Sequence, residues 1–419
     1  MTRLTTTHPS IPRRPEAVRG RLHGGALAAL AIALLLAGCT TPPVPSSGNF
    51  PPDEPAPPPV AMVPDRPLEP GPPRLSGLPP GINATFPSAP PAPGPRVPVP
   101  PPAAPASLSV QRINGTDYVD VAAFFARLGL RAIGTPGGTR ATFQGGGHRA
   151  DLEGGEREMT LDNLKVFLGE PALLRTRVLY VSRIDAEKLL RPILAPPRLA
   201  APRVIVLDPG HGGGDPGMQN RTLGLDEKKL TLDVAQRLKP LLEARGWRVV
   251  LTRSDDRELS PVKAIDLLRR SELANREHAD LFVSIHFNSV APDTRTSGTE
   301  VYRFPPQFQR SATSWGAGQD DDAERHASPV NRNDAGSAVL AYSLQRSLLA
   351  SLGTVDRGQK LKHLGVLRGL DCPGVLVECV FLSSDTEARR ASAPAYRQQI
   401  ALSLAEGIAA YAAQVSPAP

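Results

Sequence analysis

Hydrophobic and polar positions change pattern four times along the chain. One apolar run fills residues 26–37, and a stretch with no apolar period covers 42–105. Short alternating segments follow over 107–195. From residue 203 onward, continuous apolar runs alternate with stretches of helical period. In that last region, 204–207 reads as a buried strand. Residues 228–245 place Leu230, Val234, Leu238, Leu241 and Leu242 on one helical face, stopped by Gly246. Strands are expected over 248–252, 281–285, Thr299–Arg303, 364–367 and 375–379. Ser260-Pro261 supplies an N-cap and a proline at the first helical position, opening a helix to about residue 279. Further helices are expected over 337–352 and 394–413. Apolar strands alternating with amphipathic helices predict an α/β domain over 203–415, its mostly parallel sheet covered by helices on both faces.

Residues 107–195 predict a small α+β domain. A helical run over 122–128 ends at Gly129, and four short strands follow over 130–133, 140–143, 148–152 and 157–161. Then Val178–Ser182 leads into a second helix, 183–190. Two "Tyr-Val, polar, helix" units about 60 residues apart form an imperfect repeat. The pattern resembles the small copper-amine-oxidase N-terminal-like domains of bacterial cell-wall proteins. His148 stands alone in a glycine-rich turn, and no metal or catalytic cluster is visible, so this is read as a binding or spacer module.

Composition changes the picture at the N-terminal end. The net charge of +7 suggests a nucleic-acid partner until it is divided. Residues 1–38 hold five arginines and one acid, and residues 203–419 hold 27 basic and 26 acidic side chains. The excess therefore lies mostly in the leader, and a nucleic-acid partner is disfavoured. A basic segment, about a dozen apolar residues and Leu36-Ala37-Gly38-Cys39 read as an export signal. That apolar run is too short for a spanning helix. The ending resembles a bacterial lipobox, which implies cleavage before Cys39 and its acylation. Thr40 then favours an outer-membrane anchor facing the periplasm in a diderm host. Between Pro42 and Pro105, 26 of 64 residues are proline, so 39–106 is expected to be a disordered, extended tether of roughly 3.1 Å per residue. Three cysteines exclude a disulfide scaffold. Cys372 and Cys379 flank one strand, over 20 Å apart at roughly 3.3 Å per residue, and are not expected to pair.

Chemistry concentrates at strand ends. Asp208-Pro209-Gly210-His211-Gly212-Gly213 follows the first strand, His286 ends another, Glu378 lies in an intensely apolar stretch, and Glu227 opens a helix. Ligand sites of open α/β sheets lie beyond the strands' carboxyl ends. Two histidines, one carboxylate and an open position make a catalytic zinc site, leaving the second carboxylate as a general base. A carboxylate buried at 378 is costly unless paired or coordinated.

These residues resemble the zinc-dependent N-acetylmuramoyl-L-alanine amidases of the Amidase_3 family. The matching stretches include residues 205–217, Glu227-Lys228, Leu251-Thr252-Arg253, Arg270, Ala274-Asn275, 283–289, Val366-Leu367-Arg368 and 374–378. The resemblance covers 203–413 and implies one Zn²⁺ held by His211, Glu227 and His286, with Glu378 as the catalytic glutamate. It implies hydrolysis of the amide between N-acetylmuramic acid and L-alanine in peptidoglycan, for wall remodelling or daughter-cell separation. Asp226 beside Glu227 leaves room for a one-residue slip of the ligand. Asn288 and Arg368 are candidate substrate-binding residues, with structural hydrogen bonding as the alternative. The irregular stretch 304–335 reads as a rim or lid, with His326 within reach of the metal at most. A zinc peptidase of stem peptides, or a non-catalytic wall-binding lipoprotein, are the competing readings. An activator protein is not identifiable from the sequence.

Overall fold

The computed structural model describes residues 108–133, 138–312 and 326–416. The signal and tether readings, Cys39 with them, lie outside the described residues. So do residues 313–325 within the expected rim.

The N-terminal segment contains β1 (Val110–Ile113), β2 (Thr116–Asp120), α1 (Val121–Arg127), β3 (Arg131–Ile133), β4 (Arg140–Gly145), β5 (His148–Glu153), β6 (Glu158–Leu161), β7 (Leu164–Phe167), β8 (Leu173–Arg175) and β9 (Val178–Ser182). A helical run then passes through α2 (Arg183–Asp185), a π-type turn (Ala186–Leu190) and α3 (Arg191–Leu194). Asp120 caps α1 by accepting from the amides of Ala122 and Ala123. The two repeated units meet: β2 and β9 pair antiparallel, Val119 opposite Val181. His148, expected to stand alone, places Nδ1 2.7 Å from Asp162.

The C-terminal part contains β10 (Val204–Pro209), β11 (Gln219–Asn220), β12 (Leu225–Asp226), α4 (Glu227–Glu243), β13 (Arg248–Leu251), α5 (Lys263–Arg276), β14 (Leu281–Asn288) and β15 (Thr299–Arg303). After a 3₁₀ turn come α6 (Asp334–Leu352), β16 (Asp356–Leu361), α7 (Gly365–Arg368), β17 (Gly374–Phe381), α8 (Asp385–Ser392) and α9 (Pro394–Val415). Strands β13, β10, β14 and β17 run parallel in that spatial order. β15 joins β17 antiparallel, and β16 runs parallel to β15.

Side chains alternate through this sheet as the apolar runs require. Ile205 and Leu207 face a core shared with α4, α6 and α9. Val206, Phe282 and Leu376 face the opposite layer with Ala274 of α5 and Leu367 of α7. Helices therefore cover both faces, as the periodicity predicts.

Two expectations are corrected. Residues 364–367 are not a strand: Gly365–Arg368 is a single helical turn, and the strand lies earlier, at β16. Its sequence, Asp-Arg-Gly-Gln-Lys-Leu, is too polar to show an apolar run. Helix α5 begins at Lys263 rather than at Pro261, and Ser260 Oγ instead accepts from the Val262 amide.

The module 107–195 has its own core around Phe124, Phe125, Leu161 and Val166. Its sheet, however, does not stop at the module. β7 pairs parallel with β16, Val166 opposite Gln359, so β3–β7 continue the C-terminal sheet to eleven strands. Tyr342 of α6 seals the junction, its hydroxyl donating to Leu161 O at 3.1 Å.

Candidate metal centre and catalytic cleft

Parallel strands bring the expected residues to one end of the sheet. His211 follows β10, His286 lies near the end of β14, Glu378 is its neighbour on β17, and Glu227 opens α4. One ligand atom from each of His211, Glu227 and His286 lies within 4.8 Å of the others.

Loop geometry is enforced by two glycines and two buried arginines. His211 itself has φ +63, a conformation that costs energy in an L-residue. A Cβ at Gly210 would lie 2.3 Å from the His286 ring, so only glycine lets that ring approach. A Cβ at Gly217 would meet Glu227 Oε2 at 2.6 Å. Arg253 donates to the carbonyls of Pro209, Gly210 and Lys228. Arg270 donates to the carbonyls of Pro209 and His211 and to Asp208 at 2.8 Å. Both guanidiniums are fully buried, and they pin the loop that carries the first histidine. Burial alone would raise the Asp208 carboxyl. The Arg270 charge and the Ser284 and Thr252 hydroxyls outweigh it and hold that carboxyl below its ordinary range.

The donor set fits a cation. His211 Nδ1 lies 2.9 Å from Asp215 Oδ2, so this nitrogen carries the proton and Nε2 presents its lone pair. Yet Nε2 faces Glu227 Oε2 at 3.1 Å, and His286 Nδ1 faces Oε1 at 3.0 Å. Two lone-pair donors this close require a positive charge between them, a proton or a metal ion. Glu227 also accepts from the Met218 amide at 2.8 Å and the Phe287 amide at 3.0 Å. Burial opposes its charge, but the two imidazoles more than compensate, and its carboxyl is held well below the usual range. Burial would likewise lower His211, but Glu227 and Asp215 prevail and raise it. Two nitrogens and one oxygen match a zinc set with an open fourth position. Asp226 turns away to Gln219 and Lys229, so the helix presents Glu227 to the cluster.

Glu378 stands beside this set without belonging to it. Its Oε2 is shielded from solvent and has no hydrogen-bond partner among the described residues. Desolvation, then the charges of Glu227 and Glu300, push its carboxyl well above the usual range, with Lys362 opposing. The four residues border a cleft of about 400 Å³, whose apolar wall includes Leu267, Leu364, Val366 and Leu376. Asn288 lines the same cleft. Arg368 is exposed on α7, its guanidinium 5.3 Å from the Phe304 ring and outside the lining residues. His326 is exposed and belongs neither to the lining nor to the metal-binding group.

Glu300 is the residue that sequence reasoning passed over. It pairs across strands with Glu378. Its carboxylate accepts from Tyr302 Oη at 2.6 Å, Asn288 Nδ2 at 2.5 Å and Lys360 Nζ. The signal was present: an acid inside the apolar strand Thr299–Arg303 is as costly as Glu378 is.

Comparison with known proteins identifies relatives of the C-terminal part. A family model described as N-acetylmuramoyl-L-alanine amidase matches residues 205–410. A probable N-acetylmuramoyl-L-alanine amidase AmiB of Haemophilus influenzae is 34% identical over 51% of this chain and 52% of its own. N-acetylmuramoyl-L-alanine amidase AmiA of Escherichia coli is 30% identical over 50% of this chain and 76% of its own. The chain thus spans about half the length of the first relative. A crystal structure of an N-acetylmuramoyl-L-alanine amidase from Clostridium difficile aligns with 51% of this chain and 97% of its own, at 28% identity and a TM-score of 0.41.

Proposed function

Because the chain belongs to the Amidase_3 family, we propose that it hydrolyses the amide between N-acetylmuramic acid and L-alanine in peptidoglycan, in wall remodelling or daughter-cell separation. The observation that carries this reading is the convergence of His211, Glu227 and His286 beside the Glu378 carboxylate, half-buried at the wall of one cleft.

His211, Glu227 and His286 would hold one zinc ion, which supplies a Lewis acid for the scissile carbonyl and the attacking water. Glu378 takes a proton from that water and delivers it to the departing L-alanine nitrogen. Its raised affinity for protons suits release to the leaving nitrogen only after a bound cation, whose charge favours the carboxylate, has left the group free to accept one. Asp215 fixes the tautomer of His211, and the two buried arginines hold the loop still. The apolar wall excludes bulk water from the reacting atoms and strengthens every charge interaction inside.

Placement in the envelope is part of the same proposal. Acylated Cys39 would anchor the chain to a membrane, with 39–106 as a tether toward peptidoglycan. Two or more acyl chains hold stably where one does not. Labelling with a clickable fatty acid, lost in Cys39→Ser, tests the anchor.

Mass spectrometry of muropeptides tests the activity. Purified protein should release intact stem peptides from sacculi, and chelation should stop release until zinc is restored. Release of single amino acids would instead identify a stem-peptide peptidase, and no release from zinc-loaded protein would refute catalysis.

A further inference from the structure

The segment 107–195 reads from sequence as a separable module, but its strand β7 joins the sheet that carries Glu300 and Glu378. We propose that Phe167 of β7 and Lys360 of β16 are positioning residues of the hydrolase, acting through Glu300 on Asn288. The inference rests on the function proposed above.

The chain of contacts is continuous. Strand pairing sets Val166 against Gln359, which brings Phe167 beside Lys360. The Lys360 ammonium lies 5.4 Å from the Phe167 ring centroid and 6.0 Å from that of Tyr302, inside the range of cation–π attraction. Its Nζ donates to Glu300 Oε2. Gly358 has φ +90, and a Cβ there would lie 2.7 Å from the Phe167 ring, so glycine admits the ring against β16. Lys360 thus has an aromatic face on each side and a carboxylate ahead.

Glu300 needs that ammonium. It is 3% exposed and lies across from Glu378. Among the described residues, Arg357 Nε is a second, more distant cation, at 3.8 Å. A buried carboxylate stripped of its close partner is costly, which favours its displacement from this position. Glu300 in turn fixes Asn288. Asn288 Nδ2 donates to Glu300 Oε1, and Asn288 Oδ1 accepts from the Ser289 amide at 2.7 Å. These two bonds determine which end of the amide is nitrogen. One N–H hydrogen of Asn288 remains for the cleft that it lines, where it can donate to a substrate carbonyl. The module's contribution is therefore the face that holds Lys360 on Glu300, and so the orientation of a substrate donor.

The test uses the full chain, zinc-loaded, with Phe167→Leu, Phe167→Tyr, Lys360→Met and the double variant Glu300→Gln/Lys360→Met. Leucine keeps apolar bulk but removes the ring face, whereas tyrosine keeps both. Phe167→Leu and Lys360→Met should lower kcat/KM for muropeptide release about tenfold, mainly through KM, with zinc content unchanged. Phe167→Tyr should restore most of it. The double variant should be more stable than Lys360→Met alone, because no unpaired carboxylate remains buried. An NMR signal of the Asn288 side-chain amide, assigned by its loss in Asn288→Asp, should move in Phe167→Leu and Lys360→Met. Folded Phe167→Leu and Lys360→Met with wild-type kcat/KM and an unmoved amide signal would overturn the proposal. If wild-type protein releases no peptide, the proposed function fails, and the amide signal alone decides whether β7 positions Asn288.

Discussion

Glu378→Gln should make the protein inactive and, at the same time, more stable. The replacement keeps shape and removes only the ability to exchange a proton and bear charge. Loss of general acid–base catalysis should lower kcat by roughly 10²–10⁴-fold, with zinc content intact because Glu378 lies outside the ligand set. The stability gain follows from the surroundings. Oε2 is shielded without a partner among the described residues, and burial together with Glu227 and Glu300 raises the carboxyl well above the ordinary value of 4.5. Above pH 4.5 the folded protein therefore retains a proton that the unfolded chain has released. When the native state binds more protons, stability falls as pH rises, until the folded group also ionises. Each unit of pH in that window removes about 1.4 kcal/mol. Glutamine lacks this slope. Urea denaturation of metal-free protein should show the two forms equally stable near pH 4.5, with the variant ahead by more than about 1.4 kcal/mol at pH 8. Added zinc should narrow the difference, since its charge favours the carboxylate. A variant less stable than wild type at pH 8, or a difference independent of pH, would refute the electrostatic account of this site.

Other perturbations test the scaffold. Gly210→Ala puts a Cβ 2.3 Å from the His286 ring, and zinc affinity measured by a competing chelating dye should fall at least about tenfold. Asp215→Asn removes the charge and one of the two oxygens that serve His211, Lys263 and the Gly217 amide; the same assay should show a loss of roughly 10–100-fold. Arg270→Met leaves Asp208 and Asp266 buried without their guanidinium partner, and chemical denaturation should show a loss of about 3–5 kcal/mol.

What the chain disclosed before folding follows from the kind of signal each part carries. Buried parallel strands write themselves as unbroken apolar runs, so β10, β14 and β17 were legible, and with them the strand-end positions of His211, His286 and Glu378. Strand β16 was not, because pairing on both sides stabilises a stretch containing Arg357, Gln359 and Lys360. Likewise, Arg253 and Arg270 appear in the sequence as ordinary cations. Only the fold shows that loop carbonyls more than forty residues away neutralise their burial. Glu300 and Glu378 carry the same signal, an acid in an apolar strand. The acid stands out in Gly374–Phe381, which is otherwise apolar, and is masked in Thr299–Arg303, where Thr299 and Arg303 flank it.

The pairing of β7 with β16 also bears on how the protein can be cut. A fragment beginning near residue 203 would look complete by its apolar pattern, yet it would leave β16 with a bare row of amides and carbonyls along the catalytic sheet. Such an edge is a template for another strand, and here it lies one strand from Glu300. Removing the module would therefore trade an intramolecular partner for whatever strand the solution offers. A catalytic fragment that stays monomeric should need either β3–β7 or a substitute, such as a proline or lysine set along β16.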